Sequence, residues 1–459
     1  MDATDGTQRE TVTGTDGVGR IRLPNHLQQP VATMRLGTVE NPLLIQVVGA
    51  ASRPGPGTGL TFDARRARPV RVETDRKFDG RNSVVNPLLV DAGNRTYLGV
   101  LGDLATTLVG ATAPGVPLPK TFRMKTLVDL IPSGKLDQPM DWADHLVEDQ
   151  PAGGWRPPTV RSTPQDTATV RVRSHSPVPG RFRSDVTAHP VDGDFGFFRP
   201  AVPIAPGSQR LERFTAGHWQ VVGTVQGPDS PGVHAQVREV ELTSGGSADV
   251  AFFDGVFDPR PYAGRQGDLL VLAAGLCAPL RCAGPQRLSL GGRELARTES
   301  GEFRVKVGAD AEWYTVTAEG TNTESRWYPL AARASASWRF RSGRTTETRR
   351  TAVPLLVVGF GPRLALDQSA PAGRRFTVPV TVTSTDSRRP TPDVRRLTVE
   401  VSYDDGRTWA TTPLVRAGSG WRAQLTHPVG PGHVSLRASA EDSGGGSVTQ
   451  TLVRAYALR

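Results

Sequence analysis

Over residues 376–383 apolar and polar positions alternate without a break. Phe376, Val378, Val380 and Val382 fall on one side, and Thr377, Pro379, Thr381 and Thr383 on the other. Leu397, Val399, Val401 and Tyr403 repeat the pattern against Thr398, Glu400 and Ser402, and so do Val434, Leu436, Ala438 and Ala440. A period of two places successive side chains on opposite faces, which marks a strand with one buried face. About seven strands within about 100 residues is the size of an immunoglobulin or fibronectin-III-like sandwich, so 351–459 is predicted to be one. Pro379 cannot donate to a ladder, so an edge or a bulge is expected there.

Upstream the pattern is more broken. Ala168–Arg173 and Ala334–Arg341 alternate cleanly, the latter with Ala334, Ala336, Trp338 and Phe340 on one face. Arg20–Pro24, Asn41–Val48, Leu60–Phe62 and Arg68–Thr74 read as strands of a small β domain over 1–78, entered part-way through. Residues 79–350 read as a large β-sandwich or jelly-roll-like region. Its Pro/Gly-rich stretch Pro151–Pro158 marks a linker or a long loop, with a division near 151–165. One helix is predicted, Met140–Asp149, with Asp141 as cap and Trp142, His145 and Leu146 on one side. The fold class expected is all-β: consecutive β-sandwich domains, the last immunoglobulin/fibronectin-III-like.

Composition agrees. Gly 50 and Pro 38 break helices, and 459 residues exceed a single core. The net charge of +10 is nearly all arginine, because Lys77, Lys120, Lys125, Lys135 and Lys306 are the only lysines among 55 basic residues. Pairs such as Arg65-Arg66, Arg374-Arg375 and Arg395-Arg396 are dispersed among acids, whereas a nucleic-acid binder concentrates its charge in a stripe. No specific nucleic-acid partner is expected; weak attraction to a cell-wall polyanion is compatible. No stretch reaches the ~18 apolar residues of a membrane helix, so no membrane span is expected. Met1–Asp5 has neither the basic nor the apolar part of a signal peptide. Either the chain is cytoplasmic or its start lies upstream.

Candidate chemistry is sparse. Cys277 and Cys282 are separated by four residues. They read as a zinc half-site without its second pair, as two thiols in a reducing compartment, or as a short-loop disulfide in an exported protein. Ser402, Asp404, Gly406, Thr408 and Trp409 fit the S-x-D-x-G-x-T-W turn that repeats through sialidase propellers. Here it occurs once, which favours a structural hairpin turn. Asp192-Gly-Asp194-Phe-Gly196 resembles part of a calcium loop without its later acids. Ser247, Ser419 and Ser447 lack a G-x-S-x-G elbow. The histidines at 26, 145, 175, 189, 218, 234, 427 and 433 form no metal motif. No catalytic residue, metal ligand or cofactor site is assigned. Trp155, Trp219, Trp313, Trp327 and Trp421 are candidates for sugar binding, with core filling the commoner role of such residues.

Several segments carry a resemblance: Leu60–Val70, Trp338–Ser342, Pro354–Val358, Ser369–Gly373, Val399–Trp409 and Val434–Arg437. From about residue 55 onward the chain resembles the C-terminal, non-catalytic region of large secreted subtilisin-like serine peptidases of high-GC bacteria. That resemblance implies an exported protein, and with export the Cys277–Cys282 disulfide. It also implies a peptidase catalytic domain as partner, in cis or in trans. The Asp, His and Ser contexts of the family's triad are missing, so no peptidase role is carried onto any residue. A free-standing glycan- or cell-surface-binding protein and a hydrolase with unidentified carboxylates are the alternatives.

Overall fold

The computed structural model describes residues 1–459 except 4–6, 39–41, 92–95, 100, 151–153, 179, 181–182, 192–199, 229–232, 258, 277–280, 300 and 387–391, and the side chains of 97 and 98. Among the described residues the regular structure is β, apart from a single 3-10 turn at Ala64–Arg66. The strands group into four consecutive sandwich units, formed by strands within 31–162, 167–252, 262–352 and 356–458.

Two sheets run through a pair of units each. An eight-stranded sheet crosses from the first unit to the second where strand Trp142–Gln150 lies parallel to strand Ser208–Thr215, with Trp142 beside Leu211 and His145 beside Phe214. A ten-stranded sheet crosses from the third to the fourth where Arg333–Ser342 pairs antiparallel with Ser447–Leu458. Continuous ladders at both seams satisfy backbone groups that an interdomain linker would leave to water.

Strong alternation yields the expected burial. Ala334, Ala336, Trp338 and Phe340 are buried, while Ser335, Ser337, Arg339 and Arg341 face outward. One apolar core runs from Ala168 to Leu458 through the last three units, and a separate core from Val48 to Val160 fills the first. The close fit has a visible cost limit: a Cβ on Gly223 would lie 2.2 Å from the ring of Phe252.

Four sequence expectations need correction. Met140–Asp149 is not a helix, because Trp142–Gln150 is an interior strand between Phe122–Leu130 and Ser208–Thr215. Both its faces are covered, with Ala143, Asp144, His145 and Leu146 all buried, so the period of two disappears from its sequence. Arg20–Pro24 and Leu60–Phe62 form no strand, since the alternation there meets no partner ladder. Pro379 belongs to an interior strand, Arg375–Ser384. Its neighbour Leu356–Phe360 pairs only as far as Val380, which leaves the proline beyond the end of that ladder.

The sheets also cut across residue 78. Strand Thr107–Ala111 lies parallel beside Pro42–Val48, so one sheet takes strands from both sides of that position.

Candidate functional site

The turn Ser402–Trp409 brings all its motif residues together. The Ser402 hydroxyl donates to Asp404 (2.7 Å) and accepts from the Gly406 amide (2.9 Å). The Asp404 carboxylate accepts from the Arg407 and Thr408 amides at 3.0 and 2.9 Å and from the Thr408 hydroxyl at 2.6 Å. These donors hold its carboxyl well below the usual carboxylate range. Asp405 and Gly406 take φ values of 60° and 84°, and the Trp409 indole N–H closes the loop on the Gly406 carbonyl at 3.0 Å. Every motif group is thereby used internally, which accounts for the turn without any catalytic role.

The turn is pinned to the sheet beneath it. Arg454 grips Asp405 through two bonds of 3.0 and 2.8 Å, and itself sits at φ 59° beside the bulge in strand Ser447–Leu458. Arg333 donates to the Asp405 carbonyl at 3.1 Å. Arg437 lies over the Trp409 ring, 4.6 Å from its centroid, and is fixed in turn by the two bonds of 2.7 Å it donates to Glu400. An aromatic side chain is thus held rigid at the surface, half-buried.

Beside this turn lies a groove of about 400 Å³. Its floor is the outward face of the ten-stranded sheet at the seam of the third and fourth units, where Thr321, Arg333, Ser335 and Thr451 point out. One wall is Asp405–Trp409, and the other is the segment Ala283–Pro285 with Glu319 beside it. Gly284 permits that second wall, because a Cβ there would sit 2.2 Å from the Glu319 carbonyl oxygen. The groove offers a planar ring, guanidinium and carboxylate groups, and several hydroxyls, a mixture suited to a polar, many-hydroxyl ligand. Arg454 holds the Asp405 carboxyl below its ordinary range.

The other candidates fall elsewhere. Trp155, Trp219 and Trp327 are buried, and the Trp219 indole donates to the Thr215 carbonyl at 2.8 Å. Trp313 and Trp421 are half-buried with Arg339 and Arg416 over their rings, at 4.0 and 4.3 Å from the centroids, as Arg437 is over Trp409; unlike Trp409, neither lines the groove. Cys282 opens the short strand Cys282–Ala283 next to the groove wall and is not a free thiol. Cys277 lies outside the described residues, as does the Asp192–Gly196 loop. Among the described residues no helix is long and apolar enough to cross a membrane.

A second polar assembly, invisible in the sequence, lies at the other seam. His145 stands between Asp129 (Nδ1, 2.6 Å) and Glu212 (Nε2, 3.1 Å), with Arg210 on Glu212 at 2.6 Å. His145, Asp129, Glu212 and Arg210 are all buried. No spacing relates positions 129, 145, 210 and 212; the register of three strands assembles them.

Fold and groove together define a chain of β-sandwich modules. No family model matches it, and no curated protein matches it. Among solved structures it is similar to the fibronectin(III)-like modules of Clostridium thermocellum CbhA, at 14% identity over 44% of this chain and 92% of that one, with a TM-score of 0.16. It is also similar to three N-terminal domains of the bacteriophage RB49 Highly Immunogenic Outer Capsid protein (Hoc). There the identity is 10% over 64% and 97% of the two chains, with a TM-score of 0.17. A third likeness is to the Bacillus anthracis TIE protein, at 9% identity over 84% and 70%, with a TM-score of 0.14. At these TM-scores the likenesses carry no argument about function.

Proposed function

We propose that this chain is a non-catalytic binding protein that holds a surface glycan in the groove between its third and fourth units. The observation that carries the reading is the rigid Trp409 beside an outward sheet face bearing Thr321, Arg333, Ser335 and Thr451. Sugar rings present an apolar face and a rim of hydroxyls. With Arg437 over one face of the indole, the other face would take the sugar's apolar face and the flanking planar groups its hydroxyls, and such a site needs little reorganisation because Arg437, Arg454 and Asp405 already fix it. In this reading a peptidase domain supplied in cis or in trans would be kept close to the polymer, while the chain itself cleaves nothing.

The test is co-sedimentation of the full chain with insoluble cell-wall polysaccharide, with casein turnover measured alongside. Saturable depletion from the supernatant, weakened in Trp409→Ala, with no casein cleavage, is the expected outcome. Unchanged sedimentation of Trp409→Ala would reject the groove, and turnover together with labelling of one serine by a fluorophosphonate would reject the non-catalytic assignment.

A further inference from the structure

The seam between the first and second units rests on a buried histidine with acid on both sides. Strand Trp142–Gln150 is the last strand of the first unit in the shared sheet, and Ser208–Thr215 is its parallel neighbour from the second. His145 projects from the first of these. Asp129, its direct cross-strand partner on Phe122–Leu130, takes Nδ1, and Glu212 from across the seam takes Nε2. An ionised carboxylate only accepts, and a neutral imidazole has one N–H to donate. With both carboxyls ionised, as Arg210 favours for Glu212, the two bonds exist together only when the ring is an imidazolium.

The surroundings fix the charges that matter. Arg210 from the second unit pairs with Glu212 and is itself held by the carbonyls of Pro203 (2.6 Å) and Val202 (3.3 Å). The rings of Phe214 and Trp219 close over His145 at 4.8 and 6.5 Å between centroids and keep water out. The neighbouring Asp144 is buried too, and is engaged by Arg76 and the Ser162 hydroxyl, both at 2.5 Å. Arg213 pairs with Asp75 and with the Ser162 carbonyl. Farther along the strand, Lys125 and Arg123 face Asp149. Burial alone would push the His145 imidazole down, but Asp129 and Glu212 together outweigh it and hold it above its ordinary value.

We propose that His145 is a proton-operated clasp between the first two sandwich units: protonated, it ties Asp129 of one to Glu212 of the other, and on losing its proton it releases one of them and loosens the joint. The sign follows from the direction of the shift. A group whose folded pKa lies above its unfolded value of 6.5 contributes fully below 6.5, and the contribution falls away as pH rises through the folded pKa. Within that window the population of the open joint rises roughly tenfold per pH unit. The joint is then firm below the ordinary midpoint and yields as pH rises through the raised folded one.

The full-length chain, labelled with ¹⁵N at histidine, provides the first test. Two-bond ¹H–¹⁵N spectra should show both His145 nitrogens mainly protonated at pH 6.5, where an ordinary imidazole is half neutral. A neutral tautomer at pH 6 would overturn the proposal outright. Hydrogen exchange, corrected for intrinsic rate, provides the second. Protection of the Trp142–Gln150 and Ser208–Thr215 amides should fall with rising pH in the wild type, while that of Gly432–Asp442 in the fourth unit stays level. In His145→Gln, which cannot gain a proton, the seam amides should be less protected and flat with pH. If that variant fails to fold, Asp129→Asn should lower the histidine's midpoint measurably. An unmoved midpoint in Asp129→Asn, or equal pH dependence in both units of the wild type, would contradict the clasp.

Discussion

Replacing Trp338 probes the seam of the third and fourth units most sharply. Its side chain is 1% exposed and fills the core beneath the ten-stranded sheet. Its strand pairs on one side with Val316 and on the other with Val448 of the fourth unit, and its indole N–H donates to the Leu356 carbonyl at 2.9 Å. Trp338→Ala removes the ring and leaves a cavity in a close-packed interior, about 3–5 kcal/mol. It also leaves the Leu356 carbonyl without that donor, about 1–3 kcal/mol more. Trp338→Phe keeps the six-membered ring and loses the hydrogen bond with a smaller part of the packing, so it weights the second term. The assay is urea unfolding of the full chain followed by circular dichroism, with each transition extrapolated to water. The Ala variant should lose about 4–8 kcal/mol from the transition carrying the last two units, and the Phe variant about 1–3 kcal/mol. An Ala variant within about 1 kcal/mol of wild type, or a Phe variant as damaged as Ala, would refute the reasoning.

Three further outcomes follow from the packing. Gly223→Ala should destabilise the second unit by about 1–3 kcal/mol, because the new methyl meets the buried Phe252 ring; calorimetric melting checks it, and an unchanged melt would show the fit to be looser than described. His427 is packed among Phe376, Tyr403 and Tyr456, and burial there pushes its imidazole down to about 4. The folded state resists a proton that the unfolded chain accepts from pH 6.5 downward, so stability should fall between pH 6.5 and 4; an NMR midpoint at the ordinary value would contradict this. Oxidised native protein should show no reactive thiol, as expected for Cys277 paired with Cys282, and titration of two thiols would remove the pairing.

What the sequence revealed depends on which faces are wet. Arg333–Ser342 and Arg375–Ser384 each bury one face, so their alternation is plain in the text. Trp142–Gln150 buries both, so its residues show no period of two and read as a helix with Trp142, His145 and Leu146 on one side; that Asp144 and His145 meet Arg76 and Glu212 is decided by distant strands. The turn at 402–409 was legible because its bonds are local. The groove was not, because Gly284, Glu319, Arg333, Asp405 and Thr451 converge only through the ladders that join two units. Trp409 itself reads as a turn-closing ring, and its place on a groove wall depends on a strand more than 40 residues later, through Arg454 and Asp405.

The central claim is that the groove holds a glycan. Ser335 lies on its floor with its side chain on the outward face, so Ser335→Trp should fill the groove and leave the core intact. Calorimetric titration of wild type and Ser335→Trp with soluble cell-wall oligosaccharides, at matched melting temperature, tests the claim directly. Saturable heat in the wild type and a loss of affinity of at least about tenfold in the variant, equivalent to about 1.4 kcal/mol, is the expected result. Equal affinity in the two proteins, or no binding by the wild type to any glycan offered, would contradict it.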